Sequence, residues 1–158
     1  MSTQISSKYG GRLLVKIGVL LLAISELIFL LGESQGDLAN GLLFFLDAQL
    51  NVYFLVFLIL YFSTLYLLGW KAGQVIAVDR KKHISVGVIF GVISSILITT
   101  YFSGSIFLLN NSIDPEYNKR NQHETIRILI QNFIIILICM VIVWMWATNR
   151  MARKIHKL

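Results

Sequence analysis

The stretch that decides the fold is the last long apolar run of the chain, Ile126 to Ala147, which reads IRILIQNFIIILICMVIVWMWA. Its single charged residue is Arg127. An α-helix rises about 1.5 Å per residue, so about 20 apolar residues cross a hydrocarbon core of about 30 Å. The run has this length and is too apolar for a helix that lies on a membrane surface. It therefore predicts a transmembrane helix.

Three further segments of the chain have the same length and character. Hydrophobic residues make up 56% of the 158 residues, charged residues 14%, and the mean hydropathy is +0.73. Soluble chains carry about 25% charged residues. The prediction is an all-α membrane protein, a four-transmembrane-helix bundle with short loops, in one domain over residues 1–158 with no separate soluble domain. The predicted helices cover about 13–32, 42–70, 84–109 and 126–147.

Lysine and arginine are distributed unevenly between the two ends of the predicted helices. Eleven of the fourteen fall in the N-terminal segment, the connection between the second and third helices, and the C-terminal tail. Because short cytoplasmic loops are enriched in these residues, we expect both termini to be cytoplasmic. Trp70, Trp144 and Trp146 lie at the same helix ends, where indole rings are expected to anchor in the membrane interface.

Glu26 is the most unusual residue of the first predicted helix, because its position places it in the outer half of the hydrocarbon region. A charged side chain within the bilayer costs about 2.5–3.5 kcal/mol on insertion scales, so it is expected to be paired, protonated or facing a polar cavity. Two interpretations follow. Glu26 is a proton or cation site, or it is a structural acid that forms hydrogen bonds between helices.

Polar residues of the other three helices are predicted at a similar depth. Asp47 and Asn51 are four residues apart and share a helix face, although Asp47 is also consistent with a helix cap in the headgroup zone. Because polar groups in lipid need partners, we expect one intramembrane polar cluster, with Arg127 as the counter-ion of Glu26 or Asp47. The cluster comprises Glu26, Asp47, Asn51, Thr99, Arg127, Gln131 and Asn132.

Small residues recur at every fourth position of the third predicted helix. Such a stripe lets two helix backbones approach closely, and serine and threonine can form hydrogen bonds across the contact. The pattern predicts a packing surface, either within one protomer or between protomers of a homo-oligomer. The stripe comprises Gly87, Gly91, Ser95, Thr99 and Ser103.

Three consecutive basic residues, Arg80, Lys81 and Lys82, lie in the predicted connection between the second and third helices. One interpretation is that they set the membrane orientation and attract anionic lipids. The other is that they dock an acidic cytoplasmic protein. The enrichment of lysine and arginine at the predicted cytoplasmic ends accounts for the isoelectric point of about 9.6, so we do not expect a nucleic-acid partner.

Several kinds of chemistry are not expected from this sequence. His123 is predicted on the outer side of the membrane, whereas His83 and His156 are predicted on the cytoplasmic side, so the three cannot form one metal site in a protomer. The sequence contains no Cys-x-x-Cys pair, phosphate-binding loop or nucleophile elbow. We therefore predict no enzymatic activity, no cofactor and no metal.

Four helices with short loops and both ends cytoplasmic resemble the small membrane subunits of bacterial defence systems, such as the membrane component of the Kiwa anti-phage system. The resemblance covers the whole chain in helix count, size and topology and includes no shared motif, so it assigns no role to any residue. We expect a membrane scaffold or sensor subunit, homo-oligomeric, that works with a cytoplasmic partner. The alternative is a small ion channel or proton-coupled transporter that uses the polar cluster around Glu26.

Overall fold

The computed structural model describes the backbone of residues 3–33, 52–113 and 122–155, and the side chains of 4–25, 27, 52–104, 127, 130 and 133–155. Within these ranges the chain forms four long α-helices, and a single 3-10 turn, Arg80–Lys82, joins the second helix to the third. The helices are α1 (Thr3–Glu33), α2 (Val52–Val78), α3 (His83–Ile113) and α4 (Gln122–Ile155).

Three of the helical segments are long and apolar enough to cross a membrane: Val52–Val78, Arg80–Gly104 and Phe133–Ile155, with mean hydropathies of 2.1, 2.0 and 2.0. Their large apolar side chains cover much of the outside of the bundle. Ile59 on α2 and Ile142 on α4 are 66% and 61% exposed, as lipid-facing side chains are. The chain is therefore a helical membrane protein, as its composition predicts.

The helices extend beyond the predicted spans. Helix α1 begins at Thr3 rather than near residue 13, α2 continues to Val78 rather than ending near 70, and α4 continues to Ile155. Hydropathy marks only the part of a helix that lies in hydrocarbon, whereas backbone hydrogen bonding continues into polar sequence. The segment from Lys71 to Val78, predicted as part of a connection, is therefore helical. The predicted start of the second helix lies outside the described residues.

Helix α1 packs mainly on α2, and α3 packs mainly on α4, while α2 also contacts α3. The first pair meets through small residues. A methyl group on Gly10 would overlap the Gly69 carbonyl group, and one on Gly73 would overlap the backbone of Ser6. Further along, the Tyr61 hydroxyl donates a hydrogen bond of 3.2 Å to the carbonyl oxygen of Gly18. These close approaches hold α1 and α2 together.

The second pair, α3 and α4, encloses Trp144. This residue is fully buried, and its ring meets that of Phe90 edge-on with 5.6 Å between the centroids. The expectation that Trp144 anchors in the membrane interface is therefore wrong, because its side chain points into the bundle. Trp146, two residues later, points outward with 52% of its surface exposed. Trp70 is half-buried.

Candidate functional site

The start of α1, the end of α2 and the end of α4 lie at one end of the bundle. Ser6 contacts Gly73, which joins the first two of these segments. The Lys154 ammonium lies over the Tyr9 ring, 5.0 Å from its centroid, and this cation–π contact joins the end of α4 to the start of α1. The turn Arg80–Lys82 follows α2 after one residue, Asp79, and belongs to the same end, which we call the basic end.

Exposed cationic side chains surround this end. In addition to the three residues of the turn, the exposed cations on the helix ends are Lys8, Arg12, Lys71, Arg150, Arg153 and Lys154. Asp79 is the only carboxylate whose side chain the structure describes. The basic end therefore carries a strong positive charge that the described part of the chain does not neutralise.

The connection between α2 and α3 is held in one conformation by its own hydrogen bonds. Asp79 has an extended backbone, with φ −139° and ψ 101°, and its Oδ1 accepts a hydrogen bond of 3.0 Å from the Lys81 amide. The Asp79 amide donates to the Val75 carbonyl at 2.9 Å, so it stays attached to the last turn of α2. His83 Nδ1 lies 2.9 Å from the Arg80 carbonyl oxygen. Aspartate at this cap position satisfies backbone donors that would otherwise lack partners.

This geometry directs the basic side chains of the turn away from the bundle. Arg80, Lys81 and Lys82 are all exposed. Lys82 Nζ lies 3.7 Å from Asp79 Oδ2, but an exposed pair of this kind contributes only about 0–1 kcal/mol. The turn therefore presents cations from a fixed backbone, and such an arrangement can bind a carboxylate or phosphate group without first ordering a loop.

The predicted intramembrane polar cluster falls mostly outside the described residues. Thr99 is half-buried on α3, and its hydroxyl has no hydrogen-bond partner among the described atoms. Arg127 is exposed on α4. Glu26 lies within α1, and Gln131 and Asn132 within α4, but their side chains are not described; Asp47 and Asn51 lie outside the described residues altogether. A shared cluster of these seven residues stays a prediction.

Most of the small-residue stripe lies inside the bundle. A methyl group on Gly87 would come within 2.8 Å of the Thr148 hydroxyl oxygen, and one on Gly91 within 2.8 Å of the Val141 Cα. Ser95 is fully buried and donates a hydrogen bond of 2.7 Å to the Gly91 carbonyl. Thr99 and Ser103, further along α3, are half-buried. Gly87 and Gly91 of the stripe therefore pack α3 against α4 of the same chain, in line with the first of the two predicted alternatives at these two positions.

A second small-residue contact was not predicted. Gly69 and Gly73 on α2 are four residues apart and face Gly10 and Ser6, which have the same spacing on α1. The sequence carries a signal for it, because Gly69-x-x-x-Gly73 is the spacing that lets helix backbones approach closely. Gly69 lies at the end of the second predicted span, Gly73 lies just beyond it, and Ser6 and Gly10 precede the first predicted helix.

Among the residues that the structure describes, no three histidine, cysteine, aspartate or glutamate side chains lie close enough to share a metal ion. Comparisons of the chain with protein-family models, with curated proteins and with solved structures find no match. The candidate site is therefore defined by its own charge and geometry, with Arg80, Lys81 and Lys82 at its centre.

Proposed function

We propose that the protein is a small polytopic membrane scaffold or sensor subunit that works with a cytoplasmic protein bound at the basic end. The observation that carries the proposal is the fixed, exposed turn Arg80–Lys82. Its backbone is ordered by Asp79, and its cations have no described carboxylate partner except the weak contact of Lys82. A partner with an acidic surface would complement this charge, which favours fast and selective association.

The proposed orientation places the basic end in the cytoplasm of a bacterium, with both chain termini on that side of the inner membrane. Three features support it. The basic residues gather at one end, the connection between α2 and α3 at that end is short, and exposed Trp146 lies near the same end. Lysine and arginine near the ends of short-looped spans determine which side stays cytoplasmic.

Helix α1 is proposed as the fourth membrane span. It exposes large apolar side chains along the part that follows its basic start. Val19, Leu20, Ile24 and Leu27 are 51%, 61%, 47% and 55% exposed. In water such an exposed apolar surface would favour aggregation, whereas in a membrane it would lie against the acyl chains of the lipids. With four spans the chain crosses the membrane an even number of times, which returns the C-terminus to the side of the N-terminus.

Homo-oligomerisation is part of the proposal. Because Gly87 and Gly91 already contact α4, the contact between protomers must use faces that the chain leaves uncovered, such as the exposed apolar side chains of α2. The resemblance to membrane subunits of Kiwa-type systems makes anti-phage defence the biological process that we propose. In this proposal a separate soluble effector supplies the output.

The test is a site-specific cross-link at the turn, made in cells with a photoreactive amino acid at position 81. We expect a covalent adduct with one protein that has an acidic surface. The triple variant Arg80→Gln, Lys81→Gln, Lys82→Gln should then lose that protein in a purified binding assay. Glutamine removes the charges and keeps comparable side-chain length.

The matched control removes three exposed charges from the same end of the bundle but away from the turn: Lys8→Gln, Arg12→Gln, Lys71→Gln. We expect this variant to retain the partner. Orientation is checked in both variants by labelling an introduced cysteine. If the cross-link yields only lipid adducts, or if both triple variants bind equally well, the turn has no docking role and its charges serve only to orient the chain.

A further inference from the structure

A shallow open groove of about 350 Å³ lies on the outer face of α4 near its end, lined by Trp146, Asn149, Arg150 and Arg153. These residues follow one another at helical spacing, so one face of α4 carries all four. We call this feature the α4 groove. It is separate in sequence from the turn Arg80–Lys82, and the proposed docking role does not use it.

The α4 groove continues a lipid-facing surface. Ile135, Ile138 and Ile142 precede Trp146 by three- or four-residue steps on the same helix face, and they are 61%, 57% and 61% exposed. On the N-terminal side of the groove this face of α4 is therefore apolar, and at the groove it becomes aromatic and basic. That order matches the order of chemical groups in a phospholipid, from acyl chains to headgroup phosphate. An exposed indole at the junction is typical of the membrane interface.

The two arginines of the groove are available to an anion. The Arg150 guanidinium lies over the Trp146 ring, 5.3 Å from its centroid, and this cation–π contact limits its range of positions. No aspartate or glutamate follows Glu124 in the chain, so the end of α4 supplies no acid to pair with either arginine. A guanidinium group presents a planar set of donors that matches the oxygens of a phosphate, and it stays charged at all physiological pH values.

From these observations we propose that the α4 groove binds the phosphate group of an anionic phospholipid, whose acyl chains lie along Ile138 and Ile142. Arg150 and Arg153 contact the phosphate oxygens, Asn149 donates a further hydrogen bond, and the Trp146 ring packs on the glycerol region. A free phosphate ion would use the same donors. The apolar face directly beneath them is the feature that favours the lipid.

The proposal is tested with the full chain purified in a zwitterionic detergent and mixed with phosphatidylglycerol or with phosphatidylcholine. Native mass spectrometry counts the lipid molecules that each protein retains. We expect the wild type to retain phosphatidylglycerol in preference to phosphatidylcholine. The variant Arg150→Gln, Arg153→Gln should lose affinity by about fivefold for each arginine removed. Both positions are exposed, so this variant is expected to fold, and its circular dichroism spectrum should match that of the wild type.

The matched control is Lys8→Gln, Lys71→Gln, which removes the same charge from exposed positions of the basic end outside both the α4 groove and the turn. Its retention of phosphatidylglycerol should equal that of the wild type. If the two double variants lose the lipid equally, the attraction belongs to the whole basic end and the proposal is wrong. Equal retention of both lipids by the wild type also overturns it. If added inorganic phosphate displaces phosphatidylglycerol, the site is one for free phosphate and the lipid assignment is wrong.

Discussion

Gly10 and Gly69 approach so closely that a methyl group added to either would overlap the carbonyl group of the other. Only hydrogen atoms fit between the two backbones at this point. The contact fixes the separation of α1 and α2, and with it the place where the N-terminal segment joins the basic end. It therefore connects the packing of the bundle to the charged surface that we propose as the working part of the protein.

The first prediction concerns this contact. The substitution Gly10→Ala should separate α1 from α2 and lower the stability of the fold, because overpacking of a tight contact costs about 1–3 kcal/mol. Thermal unfolding of the purified protein in detergent measures the loss. The control is Gly104→Ala, since a methyl group on Gly104 would find no heavy atom within 4 Å. Equal stability of the two variants would contradict the close approach of the helices.

The second prediction separates packing within the chain from packing between chains. Gly91 contacts Val141 of the same chain, so Gly91→Leu should destabilise each protomer even when it is monomeric. Unfolding is measured over a range of protein concentrations, together with the mass of the protein in detergent. A loss of stability that is independent of concentration is the expected result, because oligomer-based stability follows mass action. A smaller mass with unchanged unfolding would assign the stripe to an oligomer contact.

The third prediction concerns orientation in the membrane. In a Cys139→Ser background, which removes the exposed native cysteine, single cysteines are placed at Gln35, Gln74, Asn118 and Lys157. An impermeant thiol reagent added to intact cells should label positions 35 and 118. Positions 74 and 157 should react only after the membrane is permeabilised. The opposite labelling pattern would reverse the proposed orientation and move the basic end outside the cell.

Hydropathy and spacing predict much of this fold, because membrane spans follow a simple rule of length and polarity. The three spans that the structure supports were all predicted from apolar runs. Helix ends were predicted less well, since the first ten residues of α1 carry polar side chains and no hydropathy signal marks them as helical. Their packing on α2 depends on Ser6 and Gly10, whose small size matters only opposite Gly69 and Gly73.

The two neighbouring tryptophans Trp144 and Trp146 illustrate a second limit of sequence analysis. Both have the same predicted depth, yet one is fully buried and the other half exposed. Two residues of a helix turn the side-chain direction by about 200°, so one indole must point inward when the other points out. The sequence does not tell which one points inward, because the choice depends on packing partners on another helix, such as Phe90 on α3, whose ring meets that of Trp144. The turn Arg80–Lys82 is a similar case. The sequence predicts the charge of these three residues, but it does not predict the hydrogen-bonded turn that exposes their side chains.

The last prediction tests the scaffold proposal against a channel or proton-coupled transporter, and it concerns Glu26. Desolvation favours the protonated form of a carboxyl group, whereas an adjacent cation, which is the role predicted for Arg127, favours the charged form. A structural acid in either form relies on hydrogen bonds, and glutamine retains most of them. Glu26→Gln should therefore assemble with little loss. Glu26→Leu should leave polar partners without hydrogen bonds, at a cost of about 1–3 kcal/mol for each buried group.

Both Glu26 variants are reconstituted in liposomes beside the wild type, and proton and cation flux are measured at several pH values together with thermal stability in detergent. The scaffold proposal predicts no specific flux for the wild type. It also predicts that thermal stability is highest for the wild type, slightly lower for Glu26→Gln and lowest for Glu26→Leu. Since an amide cannot bind or release a proton in this range, a titrating site would be lost in Glu26→Gln while the fold survived. A pH-dependent conductance that is present in the wild type and absent from the folded Gln variant would therefore replace the scaffold with a channel or transporter.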